Sequence, residues 1–155
     1  MRILVTGATG QIGWELQRSL AALGTVAAPD RAQCDFTRPE TVAAVMRDVH
    51  PDVVVNAAGY TDVDQAERDE AMAIAVNAVS ARAIAAETRR LDALLVHFST
   101  DYVFDGDKPT AYVETDPPCP LGAYGRSKLA GEDAVRTDGG DHLILRTSWV
   151  FAART

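Results

Sequence analysis

In the segment Tyr124-Gly125-Arg126-Ser127-Lys128, a phenol and an ammonium stand four residues apart. On a helix that spacing puts both on one face, so their heads can converge on a single ligand. A phenol titrates near 10, too high for efficient exchange at neutral pH. A nearby ammonium favours phenolate and lowers that value, each unit being worth roughly 1.4 kcal/mol. Tyr124 can then protonate a carbonyl oxygen as hydride reaches its carbon, while Lys128 also has donors for a ribose. Ser99-Thr100-Asp101 closes an apolar run, and a hydroxyl at such a strand end can orient the carbonyl. Thr100 is assigned that role, with Ser99 the rival and a hydroxyl-to-backbone turn bond the plainer alternative.

A second constellation is Gly7-Ala8-Thr9-Gly10-Gln11-Ile12-Gly13, which follows an apolar run at residues 2–6 and precedes apolar residues at Ile12, Leu16, Leu20 and Leu23. That is strand, tight turn and helix, the context in which backbone N–H groups and a positive helix end face a pyrophosphate. Gly7, Gly10 and Gly13 together are expected to form the phosphate cradle. Asp30 stands where a second strand, residues 25–28, ends. Its carboxylate can accept hydrogen bonds from ribose hydroxyls, which favours NAD, whereas adjacent Arg31 could pair with a 2'-phosphate, which favours NADP. The sequence leaves that choice open.

The elements that must hold these residues follow from periodicity and punctuation. After the helix at residues 11–23 and the strand at 25–28, residues 34–36 read as a brief third extended piece. Thr37-Arg38-Pro39-Glu40 then has capping-box spacing and opens a helix running to about residue 49. His50-Pro51-Asp52 breaks it, and the β-branched run at 53–57 reads as a strand buried on both faces. Asp62, Asp64, Glu67, Asp69 and Glu70 crowd the next helix starts, where acidic side chains suit the helix dipole, so no metal is assigned to them. An alanine-rich helix at 70–91 leads to a strand at 93–99 that contains His97, read as a core or sheet-face histidine. Residues 101–122 hold four prolines and read as a long ordered loop. A helix at 124–135 and a strand at 142–147 complete the pattern. Strands alternating with helices imply right-handed parallel βαβ units, hence an α/β fold with one doubly wound parallel sheet in three α/β/α layers.

A length of 155 residues with 47% hydrophobic and 24% charged side chains suits a single domain over 1–155 with a substantial core. The net charge of -7 and scattered basic residues argue against a nucleic-acid partner. Cys34 and Cys119 form no CxxC or Cys/His cluster, which leaves neither a disulfide framework nor a zinc site. No apolar run reaches signal-peptide or membrane-spanning length, so the expectation is a cytoplasmic protein with no membrane partner.

Taken together, GATGQIG, NAAGYTDVD, FSTDYVFDG, YGRSKLAGE and RTSWVF resemble the dTDP-4-dehydrorhamnose reductase family of extended short-chain dehydrogenases/reductases, over nearly the whole chain. The tyrosine-lysine motif marks only the superfamily, whereas STDYVFDG with GQIGWELQ and RTSWVF is more particular. The resemblance implies a Rossmann-type oxidoreductase in which NADPH or NADH reduces the 4-keto group of dTDP-4-dehydro-L-rhamnose to dTDP-L-rhamnose, a nucleotide-sugar step of cell-surface polysaccharide synthesis. It implies that Gly10, Gln11 and Ile12 touch the pyrophosphate, Asp30 the ribose, and Asp35 with Phe36 the adenine side. Gly59, Tyr60, Thr61 and Phe98 would line the cofactor. Thr100 and Asp101 would contact the sugar and Trp149 would wall it, core packing being the alternative for Trp149. Glu15 matches a position associated in some relatives with Mg2+ at a homodimer contact, against which a solvated glutamate is weighed. Two departures stand out. NAAGYT replaces the usual NAAAYT, and family members are nearly twice this length. The chain is therefore expected to be the N-terminal cofactor-binding part of a longer reductase, lacking most of the C-terminal substrate domain. Two rival readings are a non-catalytic regulatory subunit resembling the methionine adenosyltransferase beta subunit, and a nucleotide-sugar epimerase or dehydratase on the same scaffold.

Overall fold

The computed structural model describes residues 1–151. Its elements run β1 (Arg2–Thr6), α1 (Gln11–Leu20), β2 (Thr25–Ala27), α2 (Pro39–Val49), β3 (Val53–Asn56), α3 (Val63–Arg68), α4 (Glu70–Ile74), a π-helical turn (Ala75–Val79), α5 (Ser80–Leu91), β4 (Leu94–Thr100), a 3-10 turn (Asp101–Val103), α6 (Ala123–Asp138) and β5 (His142–Thr147). The five strands form one sheet in the order β2-β1-β3-β4-β5, and every pairing is parallel.

Strand alternation sorts the core into two faces. Leu4, Val54 and Leu95 pack with Val42 and Met46 of α2, Ile84 of α5 and Val135 of α6. Ile3, Val5 and Val55 point the other way, against Leu16 and Leu20 of α1. One face is thus covered by α2, α5 and α6, and the other, among the described residues, by α1. Leu143 and Leu145 of β5 are register partners of Val96 and Phe98, which lie on the α1 face. Both leucines are exposed, since α1 packs on β1 at the far side of the sheet.

Two sequence expectations change. Residues 34–36 are not a strand. Asp30 Oδ1 accepts from the N–H groups of Ala32 and Gln33, and Asp35 Oδ1 accepts from Thr37 N, so side-chain-closed turns override the extended preference. The helix expected over 70–91 is interrupted by the π turn. The acidic residues before it have structural partners: Asp62 caps α3 through Gln65 N, Asp69 caps α4 through Met72 N, Glu67 accepts from Ala123 N at 2.6 Å, and Glu70 pairs with Arg126. Glu67 and Glu70 thereby hold the start of α6, which carries Tyr124 and Lys128.

Candidate active site

A cleft of about 730 Å³ opens at the carboxyl ends of β1, β3 and β4, the side on which doubly wound sheets take ligands. It is lined by Gly7, Gly10, Gln11, Ile12, Asp30, Asp35, Phe36, Gly59, Thr61, Phe98, Thr100, Asp101, Tyr124, Lys128 and Trp149, all singled out from sequence. Gly13 and Tyr60 lie outside that lining.

The three glycines of the first loop do different work. Gly7 has φ +72°, and a Cβ there would sit 2.6 Å from Ala58 N, so it is required for backbone packing. Gly13 is buried beneath it, where a Cβ would come within 2.1 Å of Gly7 O. This corrects the expectation that Gly13 faces a phosphate: it lets α1 approach the loop. Gly10, the N-cap of α1, is different, because an added Cβ would meet only Gly7 O, at 3.4 Å, and otherwise point into open space. No side chain caps α1, so its first N–H groups are available to a ligand. Gln17 braces the loop from behind, donating to Ala8 O at 2.9 Å and Gly13 O at 3.1 Å. An anion cradle with that opening fits a diphosphate.

At the β2 end, Asp30, Arg31, Cys34, Asp35 and Phe36 form the wall. Burial, reinforced by the charge of Asp35, pushes the Cys34 thiol up to about 11, which leaves it an unreactive part of that wall.

At the opposite end, Lys128 is 5% exposed and donates from Nζ to Phe98 O at 2.6 Å. A Cβ on Gly59 would lie 3.8 Å from that Nζ, which places the ammonium beside the loop after β3. Burial pulls Lys128 down to about 8 while Glu132 pushes against the fall. Tyr124 is also buried and stands edge-on to Tyr102, ring centres 5.5 Å apart. Its phenol moves upward, chiefly through burial; a hydrogen bond with Thr100 pulls the other way, and Asp101 adds to the rise. The expected lowering by Lys128 is therefore absent. The ammonium is engaged with the Phe98 carbonyl, and desolvation dominates the phenol. Thr100 Oγ1 accepts from Tyr102 N and donates to Asp101 Oδ1, both at 3.2 Å. Asp101 Oδ2 accepts from Ser148 Oγ at 2.7 Å, so Asp101 ties the ends of β4 and β5 together. Trp149 follows with φ +49° and stands 88% exposed at the cleft mouth, so core packing does not describe it in this chain.

Sequence reasoning passed over Asn77, at the centre of the π turn. Its Oδ1 accepts from Tyr60 N at 2.8 Å, and its Nδ2 donates to Tyr60 O at 3.0 Å and Ser127 Oγ at 2.9 Å. Ser127 in turn donates to Tyr124 O. Asn77 therefore clamps the loop of Gly59, Tyr60 and Thr61 to α6, and Tyr60 serves that clamp rather than the cleft surface. His97 is buried, and its Nδ1 meets Asn56 Nδ2 at 3.0 Å. Asn56 Oδ1 accepts from Thr6 Oγ1 at 2.7 Å, which assigns Nδ2 as the donor and leaves the histidine neutral with its proton on Nε2. Burial lowers it to about 3, Lys128 contributing in the same direction. Glu15 lies half-buried on α1, and among the described residues no group of three or more His, Cys, Asp or Glu is arranged for a metal. Among those residues no helix is long and apolar enough to cross a membrane.

Comparison with known proteins gives a consistent outcome. The family model described as RmlD substrate binding domain matches residues 1–155. A dTDP-4-dehydrorhamnose reductase from Burkholderia thailandensis is 60% identical over 154 residues, covering 99% of this chain and 52% of that protein. The Escherichia coli K12 reductase of the same name is 48% identical over 158 residues, covering 99% and 53%. The chain spans about half the length of the curated relatives it matches. Among solved structures, the dTDP-4-dehydrorhamnose reductase of Bacillus anthracis in complex with NADP matches with a TM-score of 0.93 at 39% identity, over 97% of this chain and 54% of that one. A Clostridium acetobutylicum relative matches with a TM-score of 0.95 at 36% identity, over 100% and 56%.

Proposed function

We propose, from the premise that this chain belongs to the RmlD substrate binding domain family, that it is the cofactor-binding part of an NAD(P)H-dependent reductase converting the 4-keto group of dTDP-4-dehydro-L-rhamnose to the alcohol of dTDP-L-rhamnose. The observation that carries this reading is one cleft with an open, glycine-lined helix N-terminus at one end and Tyr124, Lys128 and Thr100 at the other. The Bacillus anthracis relative, bound to NADP, supports a dinucleotide, and the relatives' shared name supports the nucleotide sugar.

Gln11 and Ile12 receive the diphosphate on backbone N–H groups, Gly10 leaves the space it needs, and Asp30, Arg31, Asp35 and Phe36 surround the adenosine. Phe98, Gly59 and Thr61 wall the nicotinamide half, and Lys128 donates to its ribose. The reduced cofactor supplies a hydride to the carbonyl carbon. Thr100 turns its hydroxyl from Asp101 to the carbonyl oxygen and orients it. Tyr124, which burial keeps protonated at neutral pH, gives its proton to that oxygen, so C=O becomes CH–OH. Asp101 and Trp149 bound the sugar side.

Calorimetric titration of this chain with NADH and NADPH tests the cofactor half, and binding of neither overturns it. A chimera joining this chain to the second half of the Burkholderia thailandensis relative provides the turnover assay. In it Tyr124→Phe abolishes reduction of the 4-keto sugar nucleotide and leaves cofactor affinity within about twofold; undiminished turnover removes Tyr124 as the acid.

A further inference from the structure

Three of the motif segments leave residues the proposed chemistry does not use: Phe104, Glu132 and Arg146. They meet beneath the cleft. Glu132 is 0% exposed and sits one helical turn after Lys128 on α6. Arg146 of β5 grips it with both ends of its fork, Nε donating to Oε1 at 2.9 Å and Nη2 to Oε2 at 2.7 Å. Arg136 adds a third bond to Oε2 at 2.7 Å. The Arg146 guanidinium lies 4.8 Å over the Phe104 ring, which stacks on Tyr112 at 4.1 Å. One carboxylate on the helix that carries the buried ammonium is therefore shared by two guanidiniums. Stability alone does not account for it, because replacing a buried ion cluster by apolar side chains is often neutral or stabilising.

Lys128 has few other charges to answer to. On α6 Tyr124 stands one turn before it and Glu132 one turn after, and from β4 come the neutral His97 and the Phe98 carbonyl. The loop after β3 brings Gly59 and the π turn brings the uncharged Asn77. Among the described residues, Glu132 is the anion that acts on the lysine.

We propose that Glu132 is a positioning residue for Lys128: buried one helical turn away and anchored by Arg146 and Arg136, its charge keeps the lysine an ammonium where the Phe98 carbonyl holds it. The role assigned to Lys128 rests on the reading in the preceding subsection. The lowering of Lys128 to about 8 by burial, opposed by Glu132, agrees with it.

The chain contains only two lysines, Lys108 and Lys128, so 13Cε-lysine NMR reads both titrations directly. Lys108, paired with Asp116, is the internal reference. In Glu132→Gln the Lys128 midpoint falls by about one pH unit or more, a tenfold loss of proton affinity, and Lys108 stays put. A purely structural tie would lower the melting temperature and leave the midpoint in place. An unmoved midpoint in a folded Glu132→Gln chain overturns the inference, and if that variant fails to fold, the double variant Glu132→Gln/Arg136→Gln, which removes the carboxylate together with one of its two cations, is read in the same way. Adding NADH to the wild-type chain moves the Lys128 resonance if the cofactor reading holds. No response would sink that reading, while the midpoint comparison still judges Glu132.

Discussion

Gly10 and Gly13 stand three residues apart in one loop, yet the same substitution at each has opposite consequences. At Gly13 a methyl group would lie 2.1 Å from Gly7 O and 3.1 Å from Ala8 Cα. Gly7 O already accepts Gly10 N at 2.9 Å, so it cannot retreat without breaking the turn. Alanine gains about 1 kcal/mol of helix propensity there, but a backbone clash of this depth exceeds the 1–3 kcal/mol of ordinary overpacking. We expect a net loss of about 2 kcal/mol or more. For a chain of this size that is roughly 4–8 °C in melting temperature. At Gly10 the methyl group would meet only Gly7 O at 3.4 Å. The cost to the fold is that of a poorer N-cap, about 0.5–1 kcal/mol.

What Gly10→Ala loses is ligand approach, since its Cβ occupies the space before the helix N-terminus. A thirtyfold weaker diphosphate contact is about 2 kcal/mol. At a hundredfold excess of NADPH over its Kd, the wild-type chain gains about 2.7 kcal/mol of stability, and the variant at the same concentration only about 0.9 kcal/mol. Differential scanning fluorimetry with and without NADPH separates the two effects: Gly13→Ala melts early in both conditions, and Gly10→Ala melts almost normally but gains little from ligand. A Gly13→Ala chain with wild-type melting, or a Gly10→Ala chain stabilised as fully as wild type, would refute the division of labour.

Two further outcomes follow from buried polar groups. Asn77→Ala strands the Tyr60 N–H and carbonyl at a cost of about 1–3 kcal/mol, so hydrogen exchange at Tyr60 speeds up and NADPH affinity drops; a Tyr60 amide as protected as before would contradict the clamp. His97 is held near 3 when folded against 6.5 ordinarily, so the unfolded chain binds the extra proton between those values. Stability must then fall as pH drops through 6.5 toward 3, by roughly 1.4 kcal/mol per unit from this group. His97→Gln, which can still accept from Asn56, gives a shallower slope between pH 6.5 and 5 in denaturant melts, and an equal slope would exclude His97 as the source.

The sheet and the glycine turn were readable because their causes are local. A β-branched run such as Val53-Val54-Val55 bounded by Pro51 and Gly59 has few other options, and strand, glycine turn and amphipathic helix declare themselves within twenty residues. Residues 34–36 misled because the choice there lay with two aspartates whose carboxylates could close turns. Periodicity alone does not weigh that competition. The π turn was illegible for a related reason: it inserts no unusual residue, and Ala75-Val76-Asn77-Ala78-Val79 has ordinary helical composition. Only the partners 17 and 50 residues away, Tyr60 and Ser127, justify presenting Asn77 there. Gly13 was placed correctly in sequence but given the wrong neighbour, because a spacing of glycines does not say which one faces a ligand and which one faces the chain.

The pairing of Tyr124 with Lys128 shows the same limit in the site's electrostatics. Their spacing implies proximity, and proximity implies a phenol made more acidic by the ammonium. In the folded chain Lys128 is bound to the Phe98 carbonyl and turned toward Gly59, while Tyr124 is desolvated beside Tyr102 and Thr100. Burial drives the two groups apart on the pH scale, the phenol up and the lysine down to about 8. Between neutrality and that value both remain protonated, the charge state that proton donation to a carbonyl oxygen requires. The spacing therefore reports that the two side chains share a helix face, while burial, more than their mutual charge, sets how each one titrates.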